Sequence, residues 1–156
     1  MKKAALLTIS GLLLSANWIA PNRAYGATAE EAQALVERAV AHVKKVGEEQ
    51  AFKDFTNKEG GFLEGELYVF CYSPDVTLVA IGGNPGMIGK NLRNLKDPDG
   101  KEASYELVQM GLEHGSGWVD YKWPNPITNK IEDKSSYIEK MGDYFVGVGV
   151  YRSEPG

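Results

Sequence analysis

The sequence predicts an α+β fold: a five-stranded antiparallel sheet with a long N-terminal helix on one face. Three observations predict it. Residues 28–58 repeat apolar positions at helical spacing. Five segments beyond residue 66 are rich in β-branched and aromatic residues. Links of hairpin length join the last three of these, which requires antiparallel pairing there.

The helix begins after an export signal. Lys2 and Lys3 give a positive start, residues 4–16 are mostly apolar, and Asn17, Pro21 and Asn22 break the run. The stretch Ala24-Tyr25-Gly26 places small residues where a signal peptidase reads them, so residues 1–26 are expected to be removed by cleavage near Gly26. The rival reading is an uncleaved membrane anchor; the apolar run is shorter than the roughly 20 residues of a spanning helix. Residues 27–156 then form one domain of about 130 residues with a single core.

Thr28 can cap the first helix, with Glu30 and Glu31 in the turn where the helix dipole favours acids. Leu35, Val36, Ala39, Val40, Val43 and Val46 form one apolar stripe. Gly47 interrupts it, and Ala51, Phe52 and Phe55 resume an apolar face as far as about Lys58. His42 falls off the stripe and is expected in solvent. "ELYVFCYS" from Glu66 reads as the first strand, "SPD" as a turn and "VTLVAI" as the second strand. "GGNPGMIGKN" is too rich in Gly and Pro to be regular. "KEASYELVQMGLEH" carries Tyr105, Val108 and Leu112 at helical spacing and ends at Gly115. In "GWVDYKW", Trp118, Asp120 and Lys122 alternate with Val119, Tyr121 and Trp123, and Pro124 and Pro126 end the strand because neither can donate to a ladder. "IEDKSSYIEKM" and "YFVGVGVYR" are the last two strands, separated by Gly142-Asp143. The helix stripe covers one face of the sheet; the irregular loop and short helix cover the other. This arrangement is PAS-like.

Composition narrows the function. Beyond residue 26 there are 14 Lys and Arg against 21 Asp and Glu, a formal net charge of −7, which argues against nucleic acid as a partner. Cys71 is the only cysteine, so no intramolecular disulfide forms, and its apolar neighbours mark it as a small buried hydrophobe. Motifs for a metal site, a nucleophile elbow, a phosphate loop or a dinucleotide fold are absent from the sequence. No catalytic residue, metal ligand or cofactor is assigned, and an enzyme is not expected. His114 beside Glu113 is a sequence neighbour rather than a constellation.

A pocket is expected where the irregular cover meets the sheet, since such junctions combine apolar walls with a few placed polar groups. Tyr105, Tyr121, Trp123 and Tyr137 supply candidate walls and hydroxyls, and Lys134 or Lys122 a cation for a small carboxylate. Core packing and a solvated surface are the plain alternatives for these residues. Gly147 and Gly149 leave a gap on one face of the last strand, to be filled by a neighbouring side chain or by ligand.

The stretches "GELYVFCYSPD" (65–75), "NPGMIGKNLRNLKDPDGK" (84–101), "GSGWVDYKWPNP" (115–126), "KSSYIEKM" (134–141) and "YFVGVGVY" (144–151) together resemble the single Cache domains, extracytoplasmic sensing modules of bacterial chemoreceptors and sensor kinases. W-x-x-Y-x-W-P-x-P followed by K-x-x-Y is the most specific part. The resemblance implies a pocket for small organic molecules, often short carboxylates, with Tyr68, Trp118, Tyr121, Trp123, Lys134 and Tyr137 as contacts and Met87 and Ile88 in the covering loop. Ile81 departs from the family pattern, which often has histidine there, and puts one ligand contact in doubt.

The resulting expectation is a soluble periplasmic binding module without its own transmembrane and signalling parts, working with a membrane sensor or transporter. The alternative is a structural or interaction module with a vestigial pocket. A homodimer through the N-terminal helix is a further expectation.

Overall fold

Thr28 opens the first helix through a reciprocal cap. Its Oγ1 accepts the Glu31 N–H at 3.2 Å, and the Glu31 carboxylate accepts the Thr28 N–H at 2.9 Å. The computed structural model describes residues 26–152, so the expected export signal lies outside the described residues apart from Gly26. Helix α1 (Ala29–Val46) buries Ala32, Leu35, Val36, Ala39 and Val43, most of the stripe the spacing predicts. Gly47, at φ 85°, breaks the helix and lets α2 (Glu48–Thr56) fold back with Ala51 and Phe55 inward. His42 is not in solvent as expected: it is half-buried between the helices, 2.7 Å from the Asp54 carboxylate and packed on the Phe62 ring. Among the described residues no helix is long and apolar enough to cross a membrane.

The strands are β1 (Leu63–Glu64), β2 (Leu67–Tyr72), β3 (Leu78–Ile81), β4 (Ser116–Pro124), β5 (Ile131–Met141) and β6 (Tyr144–Arg152). The five longer ones follow the predicted segments; two-residue β1 is an addition, pairing with the start of β2. All pairings are antiparallel, in the spatial order β3-β2-β6-β5-β4. The chain's last strand thus lies at the centre, between β2 and β5.

Strand alternation divides the core in two. Leu67, Val69, Cys71, Val146, Val148 and Val150 face α1 and α2. Tyr68, Phe70, Tyr72, Val119, Tyr121, Ile138, Phe145 and Tyr151 face the other way, under helix α3 (Ala103–His114) and the segment 82–102. Gly111 lets α3 approach closely, because a Cβ there would collide with the Phe145 ring. Gly115, at φ 78°, ends α3 where the sequence places its stop. Cys71 is fully buried, and desolvation pushes its thiol well above the usual range, so it packs as a hydrophobe.

Candidate functional site

The cover face of the sheet is built from residues of alternate parity. On β6 these are Phe145, Gly147, Gly149 and Tyr151. The two glycine gaps are filled from neighbouring strands: a Cβ at Gly147 would strike the Phe70 ring, and one at Gly149 would strike the Lys134 stem and the Ser136 hydroxyl. Gly149 therefore lets Lys134, on β5, lie flat across β6 and reach Tyr68 on β2. The Lys134 Nζ donates to the Tyr68 hydroxyl at 2.8 Å. Tyr68 and Tyr151 hydroxyls are 3.1 Å apart, and Tyr151 donates to the Pro124 carbonyl at 2.7 Å. A directed relay follows: Lys134 to Tyr68, Tyr68 to Tyr151, Tyr151 to Pro124.

Lys134 is 2% exposed. Its ammonium lies over the rings of Tyr68 (4.1 Å), Tyr151 (4.8 Å) and Phe70 (5.5 Å). Among the described residues it makes that single hydrogen bond and no salt bridge. Desolvation therefore holds its pKa well below the usual lysine range, with Glu66 opposing the shift. Burial also raises the Tyr68 hydroxyl well above its usual range, with further upward contributions from Tyr151 and Tyr72. Tyr121, paired with Lys134 across β4 and β5, shares a hydrogen bond with the Ser136 Oγ at 2.8 Å, and burial raises its hydroxyl well above its ordinary value too.

A cavity of about 310 Å³ opens against this aromatic wall. Tyr68 and Ile81 form its inner side; Gly83, Asn84 and Met87 come from the cover; Trp123 and Pro124 come from the end of β4, and Asn125, Pro126 and Asn129 from the turn between β4 and β5. Gly83 must be glycine for the cover to seat, since a Cβ there would come within 2.7 Å of the Tyr68 Cζ. The turn is held by Asn125, which accepts the Ile127 N–H at 2.9 Å and donates to Glu132 at 2.8 Å. Thr128 and then Asn125 keep the Glu132 carboxyl below its ordinary range.

The residues expected from the sequence are only partly brought together. Tyr68 and Trp123 line the cavity. Lys134 and Tyr121 lie behind its wall, on the same face of the sheet. Tyr105 is half-buried on α3 and stacks under the Arg93 guanidinium at 4.6 Å, away from the cavity lining. Trp118 and Tyr137 are corrected outright. They are cross-strand partners with rings 5.4 Å apart, and they pack on the α1 side of the sheet. The parity that sends Tyr121 and Trp123 under the cover necessarily sends Trp118 away from it. Of the two covering-loop residues, Met87 lines the cavity, whereas Ile88 is 40% exposed and borders a groove against α2. Lys122 is paired with Asp99 at 2.9 Å and does not line this cavity.

Sequence reasoning missed Tyr151, Asn84, Asn125 and Asn129. Tyr151 was readable, because it shares parity with Gly147 and Gly149. The three asparagines carry no periodic signal; they converge only once the cover and the β4–β5 turn meet.

A family model described as single Cache domain 2 matches residues 22–154. The methyl-accepting chemotaxis protein McpP of Pseudomonas putida is 34% identical over 70 residues, 44% of this chain and 13% of that protein. The sensor histidine kinase MctS of Rhizobium johnstonii is 34% identical over 86 residues, 54% of this chain and 18% of that protein. The chain thus matches less than a fifth of either relative's length. Among solved structures, a methyl-accepting chemotaxis protein from Vibrio parahaemolyticus aligns with a TM-score of 0.70 at 23% identity, over 78% of this chain and 86% of that one. A Cache chemosensory domain solved for its recognition of carboxylic acid aligns with a TM-score of 0.68 at 23% identity, over 80% and 92%. At these identities the two structures share the fold.

Proposed function

The chain belongs to the single Cache domain family, and on that premise we propose that it is a periplasmic sensing module whose ligand is a small organic carboxylate. Single Cache domains are extracytoplasmic sensory domains of chemoreceptors and sensor kinases, not an enzyme family. One observation carries the ligand class. Lys134 is a buried ammonium without an anionic partner among the described residues, held one hydrogen bond behind the cavity wall. A buried charge is retained at a cost unless something pairs with it. A carboxylate against that wall draws the Tyr68 O–H away from Tyr151 to itself, while Tyr68 keeps accepting from Lys134, whose charge lies directly behind. The same fold serves carboxylic acid recognition in one structural neighbour, which supports the reading.

Calorimetry and thermal shift with short carboxylates, each run beside its neutral amide, test it. A true ligand at 100 times its Kd adds about 2.7 kcal/mol to stability. Acids are expected to bind and amides of the same shape to fail. If acids leave the melting temperature unmoved, or amides match them, the carboxylate reading is wrong.

A second reading has one observation in its favour: the gaps at Gly147 and Gly149 are filled by protein, as in a module whose pocket has closed. On that reading no small molecule of any class stabilises the domain. A membrane sensor or transporter as partner, and a homodimer through α1, belong to the proposal; cross-linking in the periplasm and sedimentation test them.

A further inference from the structure

The cavity against Tyr68 is one of two chambers. The second, of about 230 Å³, lies on the far side of Met87, Trp123 and Pro124, which line both. Their linings differ in chemistry. The first presents the Tyr68 wall and three asparagines. The second takes most of its wall from apolar groups, among them Leu95, Ala103 and Ile131, and is also bordered by Lys96, Asp97 and Lys122. Leu95 is 43% and Ile131 57% exposed, so two large aliphatic side chains stand in water at the rim. Burying such surface is favourable, and an occupant of this chamber would do so. Met87 sits on a single 3₁₀ turn (Pro85–Met87), half-buried, and its unbranched side chain has the freedom to swing aside. Its partner in the partition, Trp123, also lines both chambers.

We infer that the ligand is amphipathic: an unbranched aliphatic carboxylate whose head occupies the chamber against Tyr68 and whose tail passes between Met87 and Trp123 into the chamber lined by Leu95, Ala103 and Ile131. This rests on the carboxylate reading and adds a chain length to it. The head group takes the Tyr68 O–H in place of Tyr151, with Lys134 behind it, and each further methylene leaves water for an apolar wall.

Isothermal titration of the protein with propanoate, butanoate, pentanoate and hexanoate tests the inference. Each added methylene is expected to tighten binding about fourfold, so hexanoate exceeds propanoate by roughly 60-fold. Ala103→Phe fills the second chamber and collapses that ratio towards one. Leu95→Asp, at an exposed position that tolerates a charge, keeps the test open if Ala103→Phe fails to fold, and lowers the same ratio. Propanoate binding with no gain on lengthening overturns the two-chamber ligand while sparing the carboxylate reading. A ratio unchanged in both variants also overturns it. Failure of every acid, short or long, overturns the carboxylate reading and this inference with it.

Discussion

Replacing Lys134 by methionine separates the cost of the site from its use. Methionine keeps an unbranched stem over Gly149 and removes the charge. Substituting apolar residues of similar volume for buried charges is neutral or stabilising by about 1–4 kcal/mol. The lost hydrogen bond to Tyr68 takes back about 1 kcal/mol. Lys134→Met is therefore expected to change stability by between about −1 and +3 kcal/mol relative to the parent without ligand, at roughly 4 °C per kcal/mol for a domain of this size. The pH dependence follows from the direction of the shift. The folded state releases the Lys134 proton below the ordinary lysine pKa of about 10.4, whereas the unfolded chain keeps it to that point. The unfolded state binds more protons across that interval, so parent stability rises with pH there, and the methionine variant loses this rise. A bound carboxylate reverses the balance by raising the lysine pKa. Binding above the lowered pKa takes up a proton, and affinity falls as pH rises. Urea melts across pH, with calorimetry in buffers of different ionisation enthalpy, measure both effects. A methionine variant destabilised by more than 2 kcal/mol, or one that binds carboxylates as the parent does, would refute the assignment of Lys134 as a costly, ligand-directed charge.

Trp118→Phe is expected to leave ligand affinity unchanged within twofold, because Trp118 packs with Tyr137 on the α1 face; a tenfold loss by calorimetry would contradict that placement. Tyr68→Phe removes the hydroxyl joining Lys134 to Tyr151 and is expected to cost about 1–3 kcal/mol in denaturant melts and to abolish carboxylate binding. Gly149→Ala places a methyl against the Lys134 stem and Ser136, for an expected loss of about 1–3 kcal/mol and displacement of the lysine, visible as lost binding. Phe55→Ala empties a fully buried position at the edge of the Phe62 ring and is expected to cost about 3–5 kcal/mol while sparing the site's chemistry.

The sheet was legible because its signals are local. Alternation in "GWVDYKW" assigns each side chain to a face, Pro124 ends the strand, and Gly142-Asp143 forms the two-residue turn between Met141 and Tyr144. The same alternation shows that Trp118 and Trp123 cannot share a pocket, so grouping them by resemblance set aside a signal already present in the sequence. Other features depend on partners distant in sequence. The burial of Lys134 is invisible within "IEDKSSY", where it resembles Lys130 or Lys140; it follows from Gly149 on the neighbouring strand. The His42–Asp54 hydrogen bond likewise requires Asp54 to return across the Gly47 bend. The asparagine rim depends on two loops meeting, which no periodicity encodes.

Strand β6 explains how one sheet serves a helix and a buried charge together. Its valines 146, 148 and 150 give α1 a continuous apolar surface, while its glycines 147 and 149 leave the other side open to Phe70 and Lys134. Filling the Gly149 gap with an aliphatic stem alone would have served packing. Lys134 instead ends that stem in an ammonium whose single hydrogen bond leaves two donors facing aromatic rings. Stability does not explain that choice, since an apolar side chain of equal length fits the same groove. Local rules are broken at functional sites, where the compensation lies outside the fold. On the carboxylate reading, the compensation is an anion small enough for the cavity, arriving from solvent against the Tyr68 wall. On that reading the lysine's cost in the empty domain is what ligand binding relieves, at a group resting on the strand that carries α1.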